Sequence, residues 1–357
     1  MAEFHNLKVE NIYKETEDTS VVTFEIPTEL LNTFEFKQGQ HLTLKADIDG
    51  EDVRRSYSLC SSPYENRWQV AVKQILGGKF STYVNERLKA GDTIEVMSPS
   101  GTFGVEVNPE KAKNYLFFAA GSGITPVLSM IKAHLKSEPN STCKLFYVNK
   151  TAKSIIFKEE LEQLRNTYFG RLEIYYFLTK ERRDIELFNG RFDDEKMQVL
   201  TKTFIDIPDT SEVFLCGPEK MVNYVSEYLI NAGLSKELVH YELFVTGLSE
   251  EDIKRQERLA QQNVEGTEVI IVDGGKEFAF TMTKEFDNIL DAALNAGADL
   301  PFACKGGVCS TCKCEVKQGG VEMKINYALD DKEVSQNLVL SCQAVPTTDK
   351  VVVDFDV

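Results

Sequence analysis

Apolar and polar positions alternate in short runs over residues 1–110, as in SVVTFEI, HLTLKADI and WQVAVKQI. The runs are broken at GG (77–78), AGD (90–92) and SPSG (98–101). A period of two with frequent turn signals predicts successive strands closing into a small antiparallel β-barrel. From about Lys113 the rhythm changes. YLFFAA, CKLFYV, RLEIYYFL and EVFLC are apolar runs of strand length, separated by helical stretches such as PVLSMIKAHLKS and FKEELEQLRNTY. This alternation predicts an α/β domain with a parallel sheet over residues 111–245. Residues 246–265, TGLSEEDIKRQERLAQQNVE, have mixed charge and few large apolar positions, and read as a linker. In 266–357, EVIIVD, EFAFTM, CEVKQG and VVVDFDV read as strands and NILDAALNAG as a helix, which gives a small α+β domain.

A length of 357 residues allows each of these domains its own core. The longest apolar stretch, YLFFAA, is too short to span a bilayer, and the polar start MAEFHNLKVE has no apolar core of a signal peptide. The expectation is a cytoplasmic protein that does not enter a membrane. A net charge of −16 argues against nucleic acid as a partner, because phosphate neutralisation needs basic surface. Residues 267–357 hold 8 lysines and no arginine against 15 acidic residues, a local charge of −7. Such a surface suits a partner with a basic patch, and serves solubility equally well.

Five of the eight cysteines lie between 304 and 342. Cys304, Cys309, Cys312 and Cys342 follow the spacing C-x4-C-x2-C-x29-C, the plant-type pattern for one [2Fe–2S] cluster. Gly306 and Gly307 within FACKGGVCSTC let backbone N–H groups approach sulfur. The rival, a structural zinc site, more often uses paired CxxC motifs, and only Cys309 with Cys312 forms one here. Cys314 is a fifth thiol outside the spacing and is expected to be free and buried. His5, His41, His134 and His240 are too dispersed to suggest a histidine metal site.

Three further segments carry chemistry. RRSYSLCSSP (54–63) puts Arg55, Tyr57 and Ser58 on a strand, where arginine can pair with phosphate and tyrosine can lie on a flat ring. Its companion GGKFSTYVNERLKAGD (77–92) sets two glycines before Ser81 and Thr82 at a helix start, which suits a phosphate. YLFFAAGSGITPVLSMI reads as buried strand, glycine turn and helix, with Gly121 and Gly123 opening the backbone to a pyrophosphate. Pro126 stands where the Rossmann fingerprint has its third glycine. VFLCGPEKM repeats the strand-to-turn logic and places Cys216 at a strand end.

RSYS, GGKFS, GSGITP and CGP, in that order and ahead of a ferredoxin-type loop, resemble the ferredoxin–NADP reductase superfamily along the whole chain. RRSYSLCSSP, VNKTAKSIIF, FACKGGVCSTCKC and NYALDDKEV resemble its oxygenase-reductase members. The resemblance implies a multidomain protein with an antiparallel β-barrel for flavin, an α/β nicotinamide-dinucleotide domain and a β-grasp ferredoxin domain. It implies that Arg55, Ser56, Tyr57, Ser58, Val72, Lys73, Gly78, Lys79, Phe80, Ser81 and Thr82 hold FAD. Within that set Arg55 and Ser81 take the phosphates, Tyr57 lies against the flavin and Ser58 sits near its N5. HYELF (240–244) resembles the H-x-E-x-aromatic ending of the superfamily, so Phe244 covers the second flavin face and Glu242 assists at the nicotinamide. Gly121, Ser122, Gly123, Thr125, Pro126, Cys216, Gly217 and Pro218 take the dinucleotide, with Cys216 near the nicotinamide C4. Thr179 and Lys180 stand where the superfamily has the serine and arginine that hold the 2′-phosphate. Lysine offers a point charge rather than a fork, and neither position is acidic, so NADPH is expected and NADH stays open.

The function implied is electron transfer from NADPH through FAD and the [2Fe–2S] cluster to an oxygenase component, a di-iron epoxygenase complex acting on an aromatic acyl-CoA. Other partners within the superfamily are a Rieske-type or a steroid hydroxylase. A partner-independent NAD(P)H diaphorase and a non-catalytic binding module with a structural metal are the alternatives outside that role.

Overall fold

A computed structural model describes residues 3–244, 254–256, 258–259 and 266–357. The linker expected at 246–265 therefore lies outside the described residues, apart from 254–256 and 258–259. The described residues form two compact units. One contains His5–Val53 and Tyr57–Phe244; the other contains the C-terminal segment ending at Val357, with Arg54–Ser56.

The first unit opens with β1 (Phe4–Thr16), β2 (Thr19–Glu25), β3 (His41–Ile48), β4 (Glu51–Ser58), β5 (Trp68–Lys73) and β6 (Thr93–Met97), in the sheet order β4-β3-β6-β1-β2-β5. The alternation is visible in β1, where Leu7 and Val9 are buried between exposed Lys8 and Glu10. A bridge between Leu59 and Val70 joins the two edges and closes the barrel. Asp49 and Gly50, both with positive φ, make the two-residue turn between β3 and β4, a conformation that Asp-Gly adopts readily. One helix, α1 (Lys79–Glu86), buries Phe80 and Val84 in the barrel core.

The same unit continues as a parallel sheet: β7 (Asn114–Ala120), β8 (Thr142–Asn149), β9 (Leu172–Leu178), β10 (Glu212–Gly217) and β11 (Val239–Leu243). The connections run through α2 (Ile124–Ser137), α3 (Lys158–Thr167), α4 (Asp194–Thr203) and α5 (Glu219–Asn231). The order β11-β10-β7-β8-β9 reverses between β7 and β10, and ligands of open α/β sheets bind at such a switch point. The HYELF segment forms the edge strand β11, which alternation alone did not identify because its inward positions are few. Val21, Cys60, Ala71 and Phe103 of the barrel share one buried core with β7, β8 and α2. Two domains in sequence are thus one unit in space.

The second unit holds β12 (Thr267–Asp273), β13 (Lys276–Met282), α6 (Ile289–Asn295), β14 (Lys313–Gln318), β15 (Val321–Met323), α7 (Asp331–Ser335), β16 (Leu338–Leu340), β17 (Ala344–Pro346) and β18 (Lys350–Asp354). Its sheet runs β13-β12-β18-β14-β16, with β12 and β18 parallel and the other pairs antiparallel. Ile289, Leu290 and Ala293 of α6 are buried in the same core as Val269, Ile271, Val351 and Val353 of the sheet. A mixed sheet grasping one helix is the β-grasp arrangement. The short pair β15–β17, too brief for a period to register, is an addition to the strands read from sequence.

Candidate functional site

The flavin segment is β4 and the turn before α1. Arg55 is exposed, Ser56 and Tyr57 are half-buried and Ser58 is buried. The Arg55 guanidinium donates to the Arg54 carbonyl at 2.7 Å. Tyr57 packs on the barrel core, its ring 5.8 Å from that of Phe80. Ser81 is buried and closes its own turn: its Oγ donates to the Gly78 carbonyl at 3.1 Å and accepts from Ile75 N at 3.2 Å. That leaves the first-turn N–H groups of α1 without helical partners, as at any helix start. Gly77, Gly78, Lys79 and Thr82 line a cavity of about 290 Å³ that reaches Glu51 and Arg87. Val72 and Phe80 lie in the barrel core, and the Lys73 ammonium is bound to Asp18 at 2.7 Å.

At the switch point two strand-to-helix turns touch. A Cβ added at Gly123 would stand 2.2 Å from the Cys216 carbonyl oxygen, so only glycine lets the GSGITP and CGP turns meet. Gly217, with φ of 154°, faces Ala120 in the same way. Thr125 is buried and donates to the Ser122 carbonyl at 3.0 Å, and Tyr147, unnoticed in the sequence, donates to the Gly121 carbonyl at 2.9 Å. Both side chains brace the turn through its carbonyl oxygens. Pro126 is buried in α2, and Pro218 precedes the first turn of α5. Two helix starts, with their positive dipole ends, therefore lie side by side. Thr179 and Lys180 follow β9; Thr179 donates to the Asn149 carbonyl at 3.3 Å, and Lys180 is exposed.

Ser58 and Glu242 are brought together across 184 residues: Ser58 Oγ donates to Glu242 Oε2 at 3.2 Å. Glu242 pairs in register with Cys216, since β11 lies beside β10. Burial, reinforced by the Glu242 charge, holds the Cys216 thiol well above its ordinary value, so it stays protonated. Phe244 continues from β11, bonded through its N–H to the Gly217 carbonyl at 3.2 Å. The edge strand that carries Glu242 is pinned lower down. His240 Nε2 and Lys113 Nζ each lie 2.8 Å from a Glu212 carboxylate oxygen, and these two partners hold its carboxyl below the ordinary value against the opposing effect of burial.

In the second unit the cysteine loop takes left-handed backbone at Lys305, Gly307 and Ser310. Cys309, Cys312 and Cys342 are buried and Cys304 is half-buried. The Cys304 thiol lies beside that of Cys309, and the Cys312 thiol beside that of Cys342. Among the described residues no three metal-binding side chains are grouped for a single ion. Further donors converge on sulfur: Gly306 N–H on Cys304 at 3.3 Å, and the Gln343 side-chain amide on Cys342 at 3.6 Å. The Cys312 hydrogen bond lowers the Cys342 thiol, with burial opposing and Gln343 and Gly307 assisting. Cys304 and Cys312 are shifted upward, by the neighbouring thiol and by burial, so within this set the thiolate is favoured at Cys342. Gln343, which also donates to the Lys305 carbonyl at 2.9 Å, gave no signal in the sequence beyond its place after Cys342. Cys314 is fully buried in the domain core.

Three family models match successive parts of the chain. Residues 6–104 match the oxidoreductase FAD-binding domain, 117–227 the oxidoreductase NAD-binding domain, and 271–347 the 2Fe–2S iron–sulfur cluster binding domain. The chain is 42% identical to a subunit of the 1,2-phenylacetyl-CoA epoxidase of Escherichia coli, covering 100% of this chain and 99% of that one. It is 31% identical to the ferredoxin reductase component of 3-ketosteroid-9-alpha-monooxygenase of Rhodococcus rhodochrous, over 98% of this chain and 96% of the relative. Among solved structures, phthalate dioxygenase reductase shares the fold with a TM-score of 0.61 at 24% identity, covering 99% of this chain and 98% of that chain. No described helix is long and apolar enough to cross a membrane. The chain belongs to the ferredoxin–NADP reductase superfamily, among the NAD(P)H-dependent iron–sulfur flavoprotein reductases that pass electrons through FAD and a fused [2Fe–2S] domain.

Proposed function

We propose that this chain is the reductase component of a di-iron epoxygenase complex acting on phenylacetyl-CoA in phenylacetate degradation, that it takes electrons from NADPH, and that it works in the cytoplasm. Full-length identity of 42% to one of the components of such an epoxidase carries the partner assignment. The domain bounds in this reading are 1–110, 111–245 and 266–357.

When bound, FAD accepts two electrons as a hydride and the cluster carries them onward singly, so the redox chemistry is the cofactors' own. The chain supplies position and charge. Arg55 and the start of α1 hold the flavin phosphates, and Tyr57 lies on the ring. The starts of α2 and α5 hold the dinucleotide pyrophosphate. Ser58 Oγ keeps its proton on Glu242 Oε2, which fixes the hydroxyl and places a carboxylate where a proton can be held beside the reacting rings. Cys216, kept neutral by burial, adds a small wall without adding charge. Cys304, Cys309, Cys312 and Cys342 would hold the cluster.

For the coenzyme, the exposed Lys180 ammonium supports a 2′-phosphate. The acidic neighbour Glu181 is occupied, accepting the Ala152 N–H at 2.7 Å. An anaerobic visible titration with NADPH and with NADH tests flavin, cluster and coenzyme together, with faster bleaching by NADPH expected. Addition of the oxygenase component of a phenylacetyl-CoA epoxidase is expected to stimulate NADPH oxidation in the presence of phenylacetyl-CoA. Equal stimulation by a steroid hydroxylase component would overturn the partner assignment.

A further inference from the structure

The helix that starts at the GSGITP turn is bonded, one turn further on, to the chain that leaves the flavin strand. Ser129 and Lys132 of α2 are three residues apart and so share a face. Ser129 Oγ donates to the Ser61 carbonyl at 2.7 Å, and Lys132 Nζ donates to the Cys60 carbonyl at 3.3 Å. Both acceptors follow Ser58 by two or three residues. They are themselves held: Cys60 N–H donates to the Gln69 carbonyl at 2.9 Å, and Ser61 Oγ accepts from Gln69 N at 3.2 Å.

Lys132 is the unusual member. Its side chain is 7% exposed, and a buried ammonium is costly unless paired. Glu65 lies 3.3 Å away on the barrel segment, and Glu160 of α3 makes a second ion pair. With the Cys60 carbonyl, three acceptors meet the three donors of one ammonium. Burial pulls its pKa down, but the Glu160 and Glu65 charges outweigh that effect and keep it charged. Glu65 is fixed in turn, accepting the Ser62 N–H at 3.0 Å.

The apolar contacts between barrel and sheet are non-directional and tolerate sliding. The Lys132 and Ser129 bonds are directional and hold α2 to one register on the flavin strand. Resting on the NAD(P)H-to-flavin reading, we propose that Lys132, with Ser129, is a positioning residue that sets the dinucleotide turn at hydride-transfer distance from the flavin. Neither side chain touches the reacting atoms. Misplacement by about 1 Å at a reacting centre is worth roughly 10²-fold in rate.

The test uses full-length protein loaded with FAD and cluster, reduced by NADPH and by NADH in anaerobic stopped flow. Lys132→Met is expected to lower the limiting rate of flavin reduction roughly 10- to 100-fold, with FAD content and cluster spectrum kept near the parent and a lower thermal midpoint from the lost ion pairs. Lys132→Arg, which retains charge and donors, is expected to recover most of the rate. In flavin-free protein, backbone amides of residues 121–127 are expected to exchange faster in Lys132→Met than in the parent. Ser129→Ala, a milder change suited to the case in which Lys132→Met does not fold, is expected to slow reduction roughly 3- to 10-fold. A folded Lys132→Met reducing within twofold of the parent overturns the proposal, as does parental rate in Ser129→Ala. Loss of FAD and rate together in Lys132→Met, with no recovery in Lys132→Arg, marks a structural role and also overturns it. A parent protein reduced by neither coenzyme overturns instead the functional reading beneath it.

Discussion

The flavin–nicotinamide site and the cluster site are built on opposite plans. In the proposed reading the cluster ligands come from one loop, Cys304 to Cys312, joined by Cys342 after 29 intervening residues. The proposed hydride site draws on β4, the turns after β7 and β10, and the end of β11, with Ser58 and Glu242 184 residues apart. A cluster needs a tight cage of one atom type, which a short loop can supply. A hydride site must hold two large flat ligands face to face, and that takes two domains. The difference teaches that local chemistry is written locally, whereas geometry between two ligands depends on how domains pack.

Substitutions that strike one plan and spare the other sharpen this contrast. Cys309→Ser is expected to abolish the cluster and all cluster-dependent electron transfer while NAD(P)H still reduces the flavin, read from iron content and stopped-flow spectra. Coupled loss of flavin reduction would break the separation. Glu242→Gln should do the reverse, lowering the limiting rate of flavin reduction by roughly 10²-fold with iron content unchanged. Combining it with Ser58→Ala should cost less than the product of the two single effects, because they are hydrogen-bonded partners.

Gly123→Ala drives a Cβ against the Cys216 carbonyl. It is expected to destabilise the first unit by about 1–3 kcal/mol and to weaken coenzyme binding, seen in denaturant melts and coenzyme titrations. Unchanged binding would mean that the two turns need not touch.

A smaller effect comes from Glu138, buried under β7. It accepts from Tyr115 Oη at 2.9 Å and from Asn108 N at 2.9 Å, and lies 3.3 Å from His134 Nδ1. Burial pushes its carboxyl up, but the bonds from His134 and Asn108 prevail and lower it from 4.5 to about 2. A carboxyl depressed in the folded state stabilises fully above its unfolded value, and that contribution fades as pH falls from 4.5 towards 2. Glu138→Gln should flatten the loss of stability over that window in acid titrations followed by circular dichroism. The smallest effect is expected for Cys314→Ser, which should keep the cluster spectrum; its loss would mean that a fifth thiol takes part in ligation.

Much of the fold was legible. The period of two in β1 to β6, the apolar runs of β7 to β10 and the cysteine spacing all reflect local rules that burial did not override. β11 was harder, since an edge strand buries few side chains and leaves a weak period. The β15–β17 pair is only three residues long per strand. In the sites, RSYS, GSGITP and CGP stood out because their glycines and small residues are needed where backbone meets ligand. Gln343 and Tyr147 did not stand out, because an ordinary buried glutamine or tyrosine has the same local sequence as one aimed at a functional loop.

The sequence by itself determined which chemistry the chain can host: four thiols at cluster spacing, and glycine turns before helices for phosphate. These depend on residue type and on spacing within a few turns of chain. That barrel and parallel sheet share one core, and that Ser58 finds Glu242, follows instead from tertiary packing. Those outcomes rest on packing between segments far apart in the chain, where burial and hydrogen bonding, rather than local propensity, choose the partner.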